Sequence, residues 1–274
     1  MKRLAFHYNM TIQFDVPVRN HHFTLKCIPH NDSEQIVEKV DYLVFPNHFI
    51  SRSTDSFQNE CIYGFCEEEH GHFMVDVKGI VQTGLRYGNG VVCESEGTCL
   101  FKYQTAQTAP GPKLMEYHRA LQEAFLRTAK MREERDARSR ALFYMGQLYE
   151  HFEYQSGSTQ ITTTAEEALV LQKGVCQDYA HILLSLLRMD QIPCRYVTGM
   201  MIGEGFSHAW VEALTRDGWI AVDPTNGKLV DEDYICIARG RDYKDCLLNQ
   251  GVFIGCERKA VQTQTIKVEV KEVE

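Results

Sequence analysis

The chain has 274 residues, of which 44% are hydrophobic and 24% charged, and its net charge is −8. That length can bury one large core or two smaller ones, and the acidic balance argues against the basic surface that nucleic acid requires. No apolar run is long enough to span a bilayer, and Met1 to Asn9 lack the apolar stretch of a signal peptide, so a cytoplasmic protein without a membrane partner is expected.

The first hundred residues carry strand signals. Tyr8, Met10, Ile12, Phe14 and Val16 alternate with polar residues, the period of a half-buried strand. Residues 23–27 repeat the alternation after Asn20-His21-His22, which predicts a turn and an antiparallel neighbour. Further strands are expected at 40–45, ending at Pro46, and at 73–77, ending near Gly79. The Pro/Gly-containing stretch 105–112 reads as a loop or linker, so residues 1–105 are expected to form a β-rich domain and 106–274 a second unit. Beyond it Leu114, Tyr117, Leu121, Ala124, Phe125 and Thr128 recur at helical spacing, as do Leu142, Met145, Leu148, Tyr149 and Phe152. The mixed-sign run at 132–138 suits a solvated helix face.

Thr164-Ala165-Glu166-Glu167 has the form of a capping box, and the short helix it opens delivers the chain to Gly174. A longer helix follows from Cys176, with Ala180, Leu183, Leu184 and Leu187 on one apolar face, and stops before Pro193. Residues 194–199, 209–213 and 219–223 read as strands, the last two joined by a hairpin at Arg216-Asp217-Gly218. Ile266, Val268 and Val270 alternate with charged residues in a terminal strand that should close a sheet.

Three residues in this frame fit covalent acyl chemistry. Cys176 opens a helix, His208 lies in Ser207-His208-Ala209-Trp210, and Asp223 ends a strand before Pro224. An ordinary thiol is only a few per cent thiolate at neutral pH; a helix N-terminus and a paired imidazolium both favour the anion. The same N-terminal N–H groups suit the oxyanion of a tetrahedral intermediate. Gly174 permits a tight bend with close approach of a substrate backbone. The hairpin brings His208 and Asp223 onto adjacent strands, with a register the sequence does not fix. Taken singly, each residue also has a structural reading: a buried thiol, a satisfied polar ring, a turn aspartate.

The segment Gly174-Val175-Cys176-Gln177-Asp178-Tyr179-Ala180-His181, with residues 193–199, 207–212 and 219–227, resembles the core of the transglutaminase-like superfamily. The β-rich N-terminal region, Gly240-Arg241-Asp242-Tyr243 and the terminal strand resemble its bacterial subgroup. The resemblance implies an α+β fold: an N-terminal antiparallel β-domain, then a papain-like core of helices packed on an antiparallel sheet. It implies Cys176 as nucleophile, His208 as general base and acid, and Asp223 as the orienting carboxylate. The expected activity is hydrolysis of a peptide or protein amide through a thioester, with no metal and no organic cofactor. Acyl transfer to an amine would use the same residues. A non-catalytic peptide-binding module is the alternative of another class, and the intact set of three argues against it. The calcium sites and extra β-domains of animal transglutaminases have no visible counterpart.

Other clusters carry less. His70-Gly71-His72 after Glu67-Glu68-Glu69 reads as a hairpin tip rather than a metal cluster. Cys61 with Cys66, and Cys93 with Cys99, lack zinc-ribbon or redox spacing, and the ten cysteines read as reduced, mostly buried thiols. Gly203-Glu204-Gly205 has no phosphate-loop lysine and is expected as a flexible loop bordering the cleft. Asp178 and His181 are assigned to helix packing.

Overall fold

The computed structural model describes residues 1–84, 96–128 and 136–274. The first strand, β1 (Lys2–Leu25), buries Tyr8, Met10 and Ile12 to 1% exposure or less, as the alternation requires. The turn expected at 20–22 does not form. Asn20 instead takes a left-handed conformation (φ 48°) inside the strand, and the pairing register shifts between Arg19 and His22. Buried positions move from Val16 and Val18 to His21, Phe23 and Leu25, which is what one extra residue in a β-bulge does. Residues 23–25 therefore extend and bend the first strand instead of pairing with it.

Four strands follow: β2 (Gln35–Phe45), β3 (Phe49–Thr54), β4 (Glu60–Cys66) and β5 (His70–Thr83). Strand β5 runs through Gly79 rather than ending there. A Cβ at 79 would lie 2.4 Å from the Lys39 carbonyl oxygen and 2.6 Å from the Phe6 ring, so close approach sets this glycine. His70 is not at a solvated tip: it opens β5 and stacks on His21, with ring centroids 5.4 Å apart.

The helical half begins with α1 (Pro112–Thr128), where proline at the first position loses no helical hydrogen bond. Then come α2 (Ala137–His151), β6 (Glu153–Tyr154), α3 (Ala165–Leu171), β7 (Lys173–Gly174) and α4 (Cys176–Met189). Of the charged run, 132–135 lie outside the described residues, and Asp136 caps α2 by accepting from Ser139 N at 2.8 Å. The capping box of α3 forms: Thr164 N donates to Glu167 Oε2 at 2.8 Å and Glu167 N to Thr164 Oγ1 at 3.3 Å. The stretch before α1 is packed: Gln107 and Thr108 are buried, and Ala165 N donates to the Gln107 carbonyl at 2.8 Å.

Helix α4 departs from the expected single apolar face. Ala180, Leu183, Leu184 and Leu187 are buried, and so are the polar Gln177, His181, Ser185 and Arg188, which repeat along one side of the helix. This stripe ties down the surrounding chain. Gln177 Nε2 donates to the Ile161 carbonyl at 3.2 Å. Arg188 donates to the carbonyls of Phe101, Cys194 and Arg241 and to Thr108 Oγ1. A guanidinium with this many acceptors tolerates full burial.

The rest of the chain supplies β8 (Cys194–Met201), β9 (Gly203–Gly205), β10 (His208–Thr215), β11 (Gly218–Asp223), β12 (Lys228–Leu229), β13 (Tyr234–Gly240), β14 (Asn249–Gly255) and β15 (Gln262–Glu272). Five of these strands make an antiparallel sheet in the order β12-β11-β10-β8-β13, on which α4 packs through Ala209, Val211 and Ala213. The last two strands return to the first sheet, in the order β2-β5-β1-β15-β9, with β4 and β14 beside the far half of β1. Residues 203–205, expected as a flexible loop, form a short strand against β15, with Val268 opposite Gly205.

Two buried amides join the sheets. Gln35 exchanges hydrogen bonds with the backbone of Cys236 (both 2.8 Å), and Asn59 does the same with Arg239 (2.7 and 2.8 Å). They satisfy the backbone edge of β13, which would otherwise be open to other strands. Beside them Arg239 reaches Glu212 at 3.1 Å and Asp32 at 2.6 Å, so the buried charge is paired across the same seam.

Candidate active site

Gly174, Cys176 and Asp178 build one tight corner. A Cβ on Gly174 would lie 2.5 Å from Asp178 Oδ2, so glycine lets that carboxylate fold back over the helix start. There it accepts from Val175 N at 2.8 Å and Thr159 Oγ1 at 2.6 Å. Asp178 therefore caps α4 and holds the 155–163 loop. Cys176, the first residue of α4, is half-buried. In the first turn the N–H groups of Cys176 and Gln177 have no helical carbonyl behind them.

The hairpin supplies the other two residues. Strand β10 pairs with β11 with Val211 opposite Val222, which brings Asp223 alongside Trp210 and makes His208 its diagonal neighbour on the same face. His208 Nε2 and Asp223 Oδ2 are 2.7 Å apart, with the Asp223 side chain fully buried. The Cys176 sulfur interacts electrostatically with the same imidazole. With Nε2 committed to Asp223, Nδ1 is the nitrogen left for the sulfur. The structure thus brings together all three residues singled out in the sequence.

The carboxylate is heavily supported. Besides His208, Asp223 accepts from Tyr234 Oη (2.8 Å), Asn226 Nδ2 (2.7 Å), Thr225 N (2.9 Å) and Asn226 N (3.1 Å). Burial alone would push its pKa up; the His208, Tyr234 and Asn226 bonds outweigh it and hold the carboxyl below its ordinary value. For His208 burial works downward, and the Asp223 bond and Cys176 outweigh it, raising the imidazole to about 10. An imidazolium beside the sulfur stabilises the negative charge that sulfur carries when it attacks.

Aromatic rings wall this pair. Tyr234 and Trp210 stand with centroids 6.0 and 6.4 Å from His208 and meet each other edge to face at 5.4 Å. Gly199, opposite His208 in the neighbouring strand, makes room for the indole, because a Cβ there would lie 2.3 Å from it. Tyr149 is 55% exposed and its ring covers Gly227, whose φ is +63°. Tyr154, also exposed, sits opposite Gly174 in the β6–β7 pair.

Sequence reading missed Tyr234, Asn226 and Thr159. Asn226-Gly227 is a turn signature that could have drawn attention to the backbone after Asp223. Nothing local marks Tyr234, which arrives from a separate strand. Among the described residues, no group of three or more His, Cys, Asp or Glu is arranged to hold a metal ion, and no helix is long and apolar enough to cross a membrane.

Comparison with known proteins bears on the family and the fold. Residues 124–224 match the transglutaminase-like superfamily and residues 4–82 the bacterial transglutaminase-like N-terminal region. The chain belongs to the transglutaminase-like superfamily, in the form that carries this bacterial N-terminal region. It is 40% identical over 114 residues to the uncharacterized protein Rv2569c of Mycobacterium tuberculosis, a stretch covering 36% of each chain. It is 41% identical over 113 residues to the uncharacterized protein ML0607 of Mycobacterium leprae, covering 38% of this chain and 40% of that one. The matched stretch thus spans well under half the length of these curated relatives. A crystal structure from Cytophaga hutchinsonii, described as a "putative cysteine protease", is similar over 100% of this chain and 91% of that one, with a TM-score of 0.78 and 22% identity. That likeness establishes the shared fold.

Proposed function

We propose that the protein is a cysteine-dependent hydrolase of peptide or protein amides, with Cys176 as nucleophile, His208 as general base and acid, and Asp223 as the carboxylate that orients the imidazole. The observation that carries this reading is the 2.7 Å Nε2–Oδ2 bond on an imidazole that also meets the Cys176 sulfur. Sulfur attacks the carbonyl carbon, a C–S bond forms, and the carbonyl π electrons move to oxygen. The N–H groups of the first turn of α4 face that developing charge. Collapse breaks the C–N bond as His208 protonates the departing amine. Water, deprotonated by His208, then attacks the thioester and releases the acid and the thiol. Asp223 stays ionised throughout, because its donors satisfy the anion.

Every step uses groups the chain supplies. A cytoplasmic setting fits Cys27, Cys61, Cys66, Cys194, Cys236 and Cys246, which are buried free thiols. The test is iodoacetamide labelling near pH 6 with mass mapping. Cys176 should react first, well ahead of Cys256, whose thiol is pushed up by desolvation and by Glu69. Equal, slow reaction at both would remove the case for an activated nucleophile and leave a binding module. Incorporation of an added primary amine into an acyl substrate, in preference to water, would make the reaction acyl transfer.

A further inference from the structure

The loop between β6 and α3, residues 155–164, is fastened to both sides of the nucleophile. Tyr154 stands opposite Gly174, two residues before Cys176, and Gln155 N donates to the Gly174 carbonyl at 2.9 Å. Past the thiol, Gln177 Nε2 reaches the Ile161 carbonyl at 3.2 Å, and Asp178 Oδ2 accepts from Thr159 Oγ1 at 2.6 Å. The chain neighbours of Cys176 therefore hold this loop directly.

The loop is also braced within itself and from behind. Gly157 turns at a φ of +76°, Ser158 Oγ donates to the Gln155 carbonyl at 2.7 Å, and Gln160 N donates to Thr163 Oγ1 at 2.9 Å. Gln107, buried, gives the Ile161 carbonyl a second donor at 3.0 Å. At the entrance, Tyr179 Oη donates to the Phe152 carbonyl, and Glu153 N to the Gln172 carbonyl at 3.0 Å. A binding surface carried on a loop requires support of this kind.

What this fixed backbone presents outward is apolar. Tyr154 is 54% exposed and Ile161 63%. A third exposed side chain, Tyr149, lies against Gly227, which follows the two residues whose N–H groups bond Asp223. The charges beside the strip cancel, because Glu153 faces Lys173 in the β6–β7 pair. Side chains on a backbone that is already ordered cost little further entropy when a ligand covers them. An uncharged strip suits an aromatic or large aliphatic group, and it offers a charged one no partner for the water it would lose.

We infer that Tyr154 and Ile161 are specificity-determining residues, an apolar wall beside the thiol that selects acyl groups bearing an aromatic or large aliphatic side chain. This rests on Cys176 being the nucleophile, and it gives the proposed amide substrate a side-chain class.

The test uses two esters that differ only in what the wall touches. p-Nitrophenyl acetate and p-nitrophenyl hydrocinnamate both acylate the thiol: a C–S bond forms, the ester C–O bond breaks, and its electrons leave on p-nitrophenolate. Rates with free mercaptoethanol, which has no wall, correct for the intrinsic reactivity of each ester. In the full-length protein the corrected rate of the p-nitrophenolate burst should favour the hydrocinnamate by about 10-fold or more. Tyr154→Ser and Ile161→Ser should each remove a large part of that preference, and the double variant nearly all of it. Tyr154→Phe should keep it, because the ring and not the hydroxyl makes the contact. No preference in the wild-type protein, or one that survives the double variant, would overturn the assignment. So would an equal fall with both esters, which is the result a merely structural loop gives. A wild-type protein in which iodoacetamide alkylates Cys176 no faster than Cys256 would instead remove the nucleophile itself, and the wall with it.

Discussion

Replacing Asp223 by Asn tests the electrostatics of the site most severely. The side chain keeps its size and loses its charge. His208 is raised from 6.5 to about 10 by Asp223 and Cys176 against an opposing burial effect, which corresponds to about 5 kcal/mol favouring the imidazolium, shared between the two partners. Without the carboxylate, only Cys176 is left to oppose the lowering effect of burial, so the ring titrates well below its wild-type value. A second cost is local. The carboxylate oxygens take donors on both sides, three on Oδ2 and two backbone N–H groups on Oδ1. An amide must turn its NH2 toward one of these sets, leaving buried donors unsatisfied at about 1–3 kcal/mol each. The assay is the ring-proton shift of His208 followed from pH 5 to 11, with iodoacetamide labelling of Cys176 over the same range. In the Asp223→Asn variant the ring should titrate several pH units lower, and labelling near pH 6 should fall about 10-fold or more. The pH dependence of stability has a definite sign. The raised His208 contributes fully below pH 6.5 and loses its contribution as pH climbs through about 10. The lowered Asp223 contributes above 3.8 and loses its contribution as pH falls through its folded-state value. The stability gap between wild type and Asp223→Asn should therefore be widest between these limits and shrink toward either extreme. An unchanged His208 titration in the variant would refute the reasoning.

Cys176→Ala should abolish turnover and change the unfolding free energy by about 1 kcal/mol or less, since the sulfur is only half-buried; retained activity on an identified substrate would end the mechanism. Arg188→Met should cost about 3–5 kcal/mol in urea unfolding, because it strands three backbone carbonyls and the Thr108 hydroxyl; a loss below about 1 kcal/mol would show that the buried guanidinium does not fasten these segments. Gly199→Ala would set a methyl 2.2 Å from the Ile235 carbonyl and 2.3 Å from the Trp210 ring, so a destabilisation of about 1–3 kcal/mol is expected, with slower labelling of Cys176 as the indole displaces His208; a neutral variant in both measurements would contradict the packing.

Much of the local structure was written in the chain. The alternation from Tyr8 to Val16 marks a strand wherever it docks, because one face must be buried. The Thr164 to Glu167 box and the glycine-bounded hairpin at Gly218 (φ +104°) are set by chemistry within a few residues. Cys176, His208 and Asp223 were recognisable because their contexts, a helix start, a strand start and a strand end, are themselves local. Pairing is not local. Asn20 looked like a turn because a left-handed residue in a bulge and one in a hairpin have the same sequence signature; only the partner strands distinguish them. The terminal alternation around Val268 announced a strand, but its place between β1 and β9 depends on pairings far along the chain, with Tyr8 opposite Val268 on one side and Gly205 on the other. The stripe Gln177, His181, Ser185 and Arg188 carries the polar pattern of a solvent face, yet it is buried, and Gln177, His181 and Arg188 meet distant backbone groups there. Sequence by itself determined which groups were available for chemistry and which elements would carry them. The tertiary structure decided the diagonal register that sets His208 against Asp223, the arrival of Tyr234 from a separate strand, and the burial that moves the protons, since each of these is a property of packed neighbours rather than of chain order.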